Sequence, residues 1–185
     1  MKSLRIRPFW YLVIIGILCA GLAVQGKVLL EKRRECEETT SDRVKMLMGK
    51  HYNSVYDIHS IAESILLGDA ATTATIIPLL RHIDGARQSY DDALLFEDGI
   101  PSTYVSLLFY RYDNAVSDYL FGNLLGDNSR IIDNEDFITV VKDLKLYSSW
   151  VLVEFGYKKT GEVYHDKDLK ESSIFEELSL KPPDY

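Results

Sequence analysis

The sequence predicts an all-α protein in which one N-terminal transmembrane helix precedes an antiparallel four-helix bundle and an irregular C-terminal tail. Three observations lead to this prediction. A run without charged residues lies near the start, at Phe9–Val24. Apolar residues in later segments recur at alternating steps of three and four, which is the spacing of one helix face. Short stretches rich in Gly, Asp and Pro separate those segments, and short connections favour antiparallel helices.

The charge-free run is too short to cross a bilayer unless it is extended. Sixteen helical residues span roughly 24 Å, against ~30 Å of hydrocarbon. If Lys27 extends its ammonium to the interface, the helix continues to Leu30 and is long enough. We therefore predict a signal-anchor helix at 9–30 that contacts membrane lipid. The alternative is a secreted helical protein, released by cleavage near the small residues Gly21 and Ala23.

Basic residues flank the predicted span on both sides. Lys2, Arg5 and Arg7 lie in the tail 1–8, and short basic tails normally stay in the cytoplasm. We therefore expect a cytoplasmic tail and an extracytoplasmic C-terminal domain at a cell membrane. The reversed orientation, with the basic residues at 32–34 against anionic lipid, stays open. No Asn-X-Ser/Thr sequence occurs, which favours a bacterial envelope.

The rest of the chain divides into a charged juxtamembrane stalk at 31–43, a bundle domain at 44–156 and a tail at 157–185. About 155 residues after the anchor suffice for one core. Residues 1–50 carry a net charge of +5 and residues 51–185 a net charge of −12. Phosphate contacts require clustered Lys and Arg, so we expect no nucleic-acid binding.

The first two bundle helices show one apolar face each. Gly68 suits the end of the first helix and Asp69 the cap that follows. The second is expected over 70–96. An interior proline costs about 3 kcal/mol, so Pro78 either kinks this helix or begins it, leaving the residues before it as a short helix or loop. The inner faces are expected to hold Val44, Met48, His51, Val55, Ile58, Ala62 and Ile65, and then Ile76, Leu80, Ile83, Arg87, Tyr90 and Leu94.

Two further helices complete the predicted bundle. The third opens at Pro101 or Ser102 and ends near Gly122 to Gly126, and the fourth runs from a cap at Asp133 to Gly156. After that the periodicity is lost, apart from a possible short helix around 173–178. The inner faces are expected to hold Val105, Leu108, Tyr112, Ala115, Tyr119 and Leu120, and then Phe137, Val141, Leu144, Ser148, Val151 and Phe155.

Motifs for catalysis, cofactors or metals are not evident. His59 and Glu63 stand four residues apart, but dinuclear bundle sites use a Glu-x-x-His motif on each of two helices. This sequence has that spacing once, at Glu162 and His165, outside the predicted bundle. His51 lies on the apolar face, and we expect it to be partly buried and locally hydrogen-bonded. No nucleophile elbow or phosphate-binding glycine loop appears. We therefore expect no enzyme, no cofactor and no metal.

The third helix is apolar around much of its circumference. Four residues off its inner face form the candidate interaction surface, and they are Leu107, Phe109, Tyr110 and Phe121. A central helix is the alternative explanation. Cys36 is a candidate for an intermolecular disulfide between two copies, or else an unpaired thiol.

These features predict an interaction or regulatory subunit of an envelope complex, with a protein partner or a second copy of the chain. The alternative is a ligand-sensing bundle, which requires a polar-lined cavity between helices. The C-terminal residues Pro182-Pro183-Asp184-Tyr185 match a WW-domain ligand. We do not expect that interaction, because it occurs in the eukaryotic cytosol.

Overall fold

The computed structural model describes residues 8–97, 103–127, 129, 132–155 and 161–179, with side chains from residue 15 onward apart from that of residue 154. All regular structure in these residues is helical, without strands, so the predicted all-α class is confirmed. The helices are α1 (Pro8–Leu66), α2 (Thr73–Glu97), α3 (Thr103–Asp118), α4 (Asn134–Ser149), α5 (Asp166–Glu171) and α6 (Ile174–Glu177). One π-helical turn extends α3 over Tyr119–Leu124 and another extends α4 over Trp150–Phe155.

The chain divides into two compact units, Met1–Ser41 and Asp42–Tyr185. In the first unit, ion pairs between side chains four residues apart connect Arg33 to Glu37 at 2.9 Å and Arg34 to Glu38 at 3.1 Å. Across the residues searched, none of the helices combines the length and the apolar character that crossing a membrane requires. The side chains of 9–14, within the predicted span, lie outside the described part of the chain.

The second unit contains a hydrophobic core to which the predicted helix faces contribute. On α1, every predicted inner residue from Met48 to Ile65 is buried. The helix α2 packs against α3, and α3 packs against α4. The predicted inner residues of α3 and α4 are also buried, apart from the partly covered Ala115. The helical bundle expected from the apolar periodicity is therefore present.

The start of α2 differs from its predicted position. The helix begins at Thr73. The carbonyl oxygen of the preceding residue, Thr72, accepts hydrogen bonds from the backbone N–H groups of Thr75 and Ile76 at 2.9 and 2.8 Å. Pro78 lies inside this helix and does not begin it. Leu79 is buried on the inner face, whereas Leu80 is only partly covered.

The predicted cap of the fourth helix is confirmed. Asp133 precedes α4, and its Oδ1 accepts a hydrogen bond from the Glu135 backbone N–H at 2.7 Å. The helix α3 is described from Thr103 onward, so its predicted start at Pro101 or Ser102 lies outside the described residues. The predicted end of the fourth helix at Gly156 lies outside them as well. The π-helical turn after α3 ends with the Leu125 N–H donating to the Leu120 carbonyl oxygen at 3.0 Å.

The C-terminal segment 161–179 is part of the core, whereas the sequence predicted an irregular tail. It contains α5 and α6, of which only α6 was expected. Five of its side chains are buried, and they are Val163, Tyr164, Leu169, Ile174 and Leu178. Their spacing follows no helical period because residues 162–165 are irregular and the two short helices after them are interrupted at residues 172 and 173. The segment therefore packs through individual side chains, without a continuous apolar face.

Candidate functional site

A buried polar network connects α1, α2 and α4 to the C-terminal segment. His51 on α1 is completely buried, with Nδ1 2.8 Å from the Ala86 carbonyl oxygen and Nε2 2.6 Å from the Tyr164 hydroxyl. A carbonyl oxygen only accepts hydrogen bonds, so Nδ1 carries the proton. Nε2 is then the acceptor for the Tyr164 hydroxyl. The sequence predicted a partly buried histidine with local bonds, but both partners are distant along the chain.

Tyr164 is the centre of this network. Its hydroxyl accepts a hydrogen bond from the Tyr147 hydroxyl, because its own proton is donated to His51. Its carbonyl oxygen accepts a hydrogen bond from the Tyr90 hydroxyl at 2.6 Å. The ring of Trp150 stands edge-on to the Tyr164 ring, with centroids 5.3 Å apart. Tyr164 therefore attaches the C-terminal segment to three helices.

The network is uncharged at neutral pH. Burial lowers the pKa of His51 from 6.5 to about 4, although the hydrogen bond to Ala86 opposes that change. Burial also raises the pKa values of Tyr147 and Tyr164 well above 10.0. Satisfied neutral groups of this kind specify a unique packing arrangement. We therefore assign the network to stability.

The histidine considered as a metal ligand has other partners. His59 Nδ1 lies 3.1 Å from the Ser148 hydroxyl, and Glu63 accepts a hydrogen bond from Lys145 Nζ at 2.9 Å. The Lys145 bond also lowers the pKa of Glu63. Within the described residues, no group of three or more His, Cys, Asp or Glu side chains is placed to hold a metal ion.

An open groove of about 560 Å³ lies between α3, α4 and the end of the C-terminal segment. The residue before α4 that forms its cap, Asp133, also lines it. Polar and apolar side chains both contribute to the lining, which consists of Arg111, Asn114, Ala115, Asp118, Ile132, Asp133, Asp136, Thr139, Val140, Asp143 and Ser179. The groove is therefore amphipathic and contains more acidic than basic side chains.

The four carboxylates of the groove have different surroundings. Asp143 is buried, and both of its oxygens accept hydrogen bonds from the Ser179 N–H, at 3.1 and 3.0 Å. Asp133 is engaged by the α4 cap. Within the described part of the chain, the side chains of Asp118 and Asp136 have neither a hydrogen bond nor an ion pair. These two carboxylates are available to a cationic group.

The structure separates the four residues of the predicted interaction surface. Tyr110 is 53% exposed and Phe121 is 41% exposed. Leu107 is partly buried. Phe109 is 1% exposed and packs edge-on against the Tyr147 ring, with centroids 5.3 Å apart. Phe109 therefore belongs to the core, because it is on the side of α3 that faces α4 and the buried network.

The exposed aromatic residues lie beside the groove. Tyr110 and Phe121 are eleven residues apart, close to three helical turns, so they share one side of α3 and its extension. Asn114 lies between them on the same side and lines the groove. Leu125 continues the row and is also exposed. We call Tyr110, Phe121 and Leu125 the aromatic stripe.

Sequence reasoning did not find the groove. The sequence predicts a helix cap at Asp133 and no further role for it, and no pattern distinguishes Asp118 or Asp136. Cys36, the candidate for an intermolecular disulfide, is an exposed free thiol, and so is Cys19. Neither cysteine lies in the groove or on the aromatic stripe.

Comparison with protein-family models, with curated proteins and with solved structures gives no match for this chain.

Proposed function

We propose that the chain is a single-pass membrane protein whose acidic helical domain acts as an interaction or regulatory subunit of an envelope complex. In this proposal residues 9–30 span the membrane. The C-terminal part of α1 forms an antiparallel four-helix bundle with α2, α3 and α4 on the extracytoplasmic side. The role is one of binding and not of catalysis.

The observation that carries the proposal is the uncovered apolar surface of residues 15–30. Ile17 is 67% exposed and its neighbour Leu18 is 60% exposed. Consecutive helical residues point about 100° apart, so the apolar surface extends around the helix. Burying each such side chain is worth about 1.5–3 kcal/mol. A lipid environment supplies that burial around the whole helix. The other large exposed apolar residues here are Ile15, Leu22, Val24, Val28, Leu29 and Leu30.

Membrane fractionation tests the anchor. We expect the full chain to stay in the membrane pellet after washing at alkaline pH and to be released by detergent. A variant with Ile17→Lys and Leu18→Lys should move to the soluble fraction, because charged side chains are costly at the bilayer centre. The matched control is Thr39→Lys with Thr40→Lys in the predicted stalk. Recovery of a mature chain that begins after Ala23 would contradict the anchor and favour secretion.

Thiol labelling tests the orientation. Cys36 lies just beyond the predicted span and Cys19 lies inside it, and both thiols are exposed in the structure. In intact cells, a membrane-impermeant maleimide should label the Cys19→Ser variant at Cys36 and should leave the Cys36→Ser variant unlabelled. Labelling of Cys36 only after cell lysis would place the domain in the cytoplasm.

Isolation of the full chain in a mild detergent tests the subunit role. We expect a protein partner in a fixed ratio, identified by mass spectrometry, that is lost when the acidic domain is deleted. A chain that purifies alone and monomeric would contradict this role. The groove also supports a ligand-sensing bundle as a second candidate, because its lining is largely polar. A rise in Tm with small cations, in the absence of any protein partner, would favour that function.

A further inference from the structure

We infer that the groove and the aromatic stripe together form the docking surface for a basic, amphipathic segment of a partner protein. This inference rests on the proposed function and specifies the kind of partner. The groove and the stripe lie on adjacent sides of α3, because Asn114 lines the groove and follows Tyr110 by about one helical turn, so a single bound segment can contact both.

The acidic lining of the groove indicates that the partner is positively charged. The groove presents four carboxylates and one guanidinium. Asp118 and Asp136 remain without partners among the described side chains. In the described part of the free protein, these two carboxylates are hydrogen-bonded only by water. A Lys or Arg side chain of a partner would form charge-assisted hydrogen bonds with them. An anionic partner, such as a phosphate group or an acidic lipid surface, would be repelled.

The apolar side chains in and beside the groove indicate that the partner also has an apolar face. Ala115, Ile132 and Val140 line the groove between the carboxylates. Tyr110 and Phe121 stand exposed beside it. Aromatic residues are enriched at protein interfaces, where a few of them provide most of the binding energy. A metal ion or a simple polyamine would leave this apolar area uncovered, whereas an amphipathic protein segment covers it.

A second copy of this chain is a poor match for the groove. The described basic cluster in the first unit includes Arg33 and Arg34. Each of these residues is already paired with a glutamate four positions later, at 2.9 and 3.1 Å. Binding the groove through them would require breaking those pairs. A separate protein with an uncompensated basic segment has no such cost.

The test uses the full chain in phosphatidylcholine nanodiscs, with empty nanodiscs as the blank. The probe is a fluorescein-labelled peptide with the repeat Lys-Leu, and binding is followed by fluorescence anisotropy. We expect saturable binding that weakens as salt is added. The variant Asp118→Asn with Asp136→Asn should raise Kd between about twofold and thirtyfold, as expected for losing two exposed ion pairs. The control variant Asp92→Asn with Glu171→Gln makes the same charge change at exposed positions elsewhere and should bind like the unmodified chain.

A second pair of variants tests the aromatic stripe. Tyr110→Ser with Phe121→Ser should raise Kd about tenfold, because both side chains would be buried by the peptide. Tyr56→Ser is the control, since Tyr56 is 63% exposed on α1. A peptide with the repeat Lys-Ser should bind more weakly than the Lys-Leu peptide and should not distinguish the stripe variant from the unmodified chain.

Three results would overturn the inference. One is equal affinity of the Lys-Leu peptide for the groove variant and for its charge-matched control. Another is equal binding of the Lys-Leu and Lys-Ser peptides, which would reduce the groove to a general cation-binding surface. The third is complete displacement of the peptide by micromolar spermidine, which would favour a small ligand. If fractionation shows the chain to be soluble, the same assay runs in buffer without nanodiscs, so failure of the anchor and failure of the docking surface are distinguishable.

Discussion

Acid should destabilise the folded domain through His51. The pKa of this buried imidazole is about 4 in the folded chain, against 6.5 when unfolded. Between those two values the unfolded chain binds more protons than the folded chain, so the free energy of unfolding falls as the pH falls. The stability contributed by the neutral imidazole is complete above pH 6.5 and is lost as the pH falls toward 4.

The difference between the two pKa values gives the magnitude. The step from 6.5 to about 4 corresponds to about 3 kcal/mol when the loss is complete. At pH 5 the loss amounts to about 2 kcal/mol. Protonation adds a charge at a completely buried site and gives Nε2 a hydrogen in place of its acceptor lone pair. The Tyr164 hydroxyl can then no longer donate to Nε2, and its proton is left without that acceptor.

Urea unfolding in a non-ionic detergent measures this effect. Trp150 is buried beside Tyr164 and reports on unfolding by fluorescence. A Trp10→Phe background leaves it as the single tryptophan, since the chain has two. The comparison is His51→Gln, which is neutral at every pH but retains all other titrating groups. It should be less stable at pH 7.5, and its disadvantage relative to the unmodified chain should shrink by about 2 kcal/mol at pH 5.

The result that refutes the reasoning is a stability difference that stays constant between pH 7.5 and pH 5. It would mean that His51 has the same pKa folded and unfolded. The imidazole would then be hydrated, or would already be paired with a negative charge. Either outcome contradicts the buried neutral network.

Three further predictions concern the domain, each measured by the same urea titration. Replacing Asp133 with Ala should cost about 1 kcal/mol through loss of the α4 cap, while Asn in its place should cost much less. Tyr147→Phe removes one donor and should cost about 1 kcal/mol, whereas Tyr164→Phe leaves His51 Nε2 unpaired and should cost more. Phe109→Ala should cost about 3–5 kcal/mol as a core truncation, and Tyr110→Ala should stay within about 0.5 kcal/mol; similar values for the last pair would contradict their assigned positions.

The helices could be predicted because each one repeats its apolar face several times. On α1 the predicted inner face runs over several turns from Met48 to Ile65, and every residue of that face is buried. The cap at Asp133 was also visible, since a short acidic side chain before an apolar run has a local physical role. The role of Pro78 could not be predicted from the neighbouring residues alone, because it lies inside α2 and does not begin it. Tertiary packing of Ile76 and Leu79 holds the helix through a residue that disfavours it alone.

The candidate site was only partly predictable for a related reason. Tyr110 and Phe109 are neighbours of similar apolar character, and only the packing of α3 shows that one is exposed and the other buried. The groove lies between residues from three separate segments, among them Ala115, Ile132 and Ser179. No local pattern reveals which segments will meet. Tyr110 and Phe121 were therefore found in advance, whereas Asp118 and Asp136 were not.

The C-terminal segment connects the buried network to the groove. Tyr164 near its start is held by His51, Tyr147 and Tyr90. At its end, Ser179 lines the groove and donates its backbone N–H to Asp143. Without this donor the buried carboxylate of Asp143 would lose part of the compensation for its desolvation. Asp143 therefore stabilises the packing of the C-terminal segment against α4. Because Ser179 at the end of this segment lines the groove, the shape of the groove depends on a stretch of chain whose packing follows no periodic pattern.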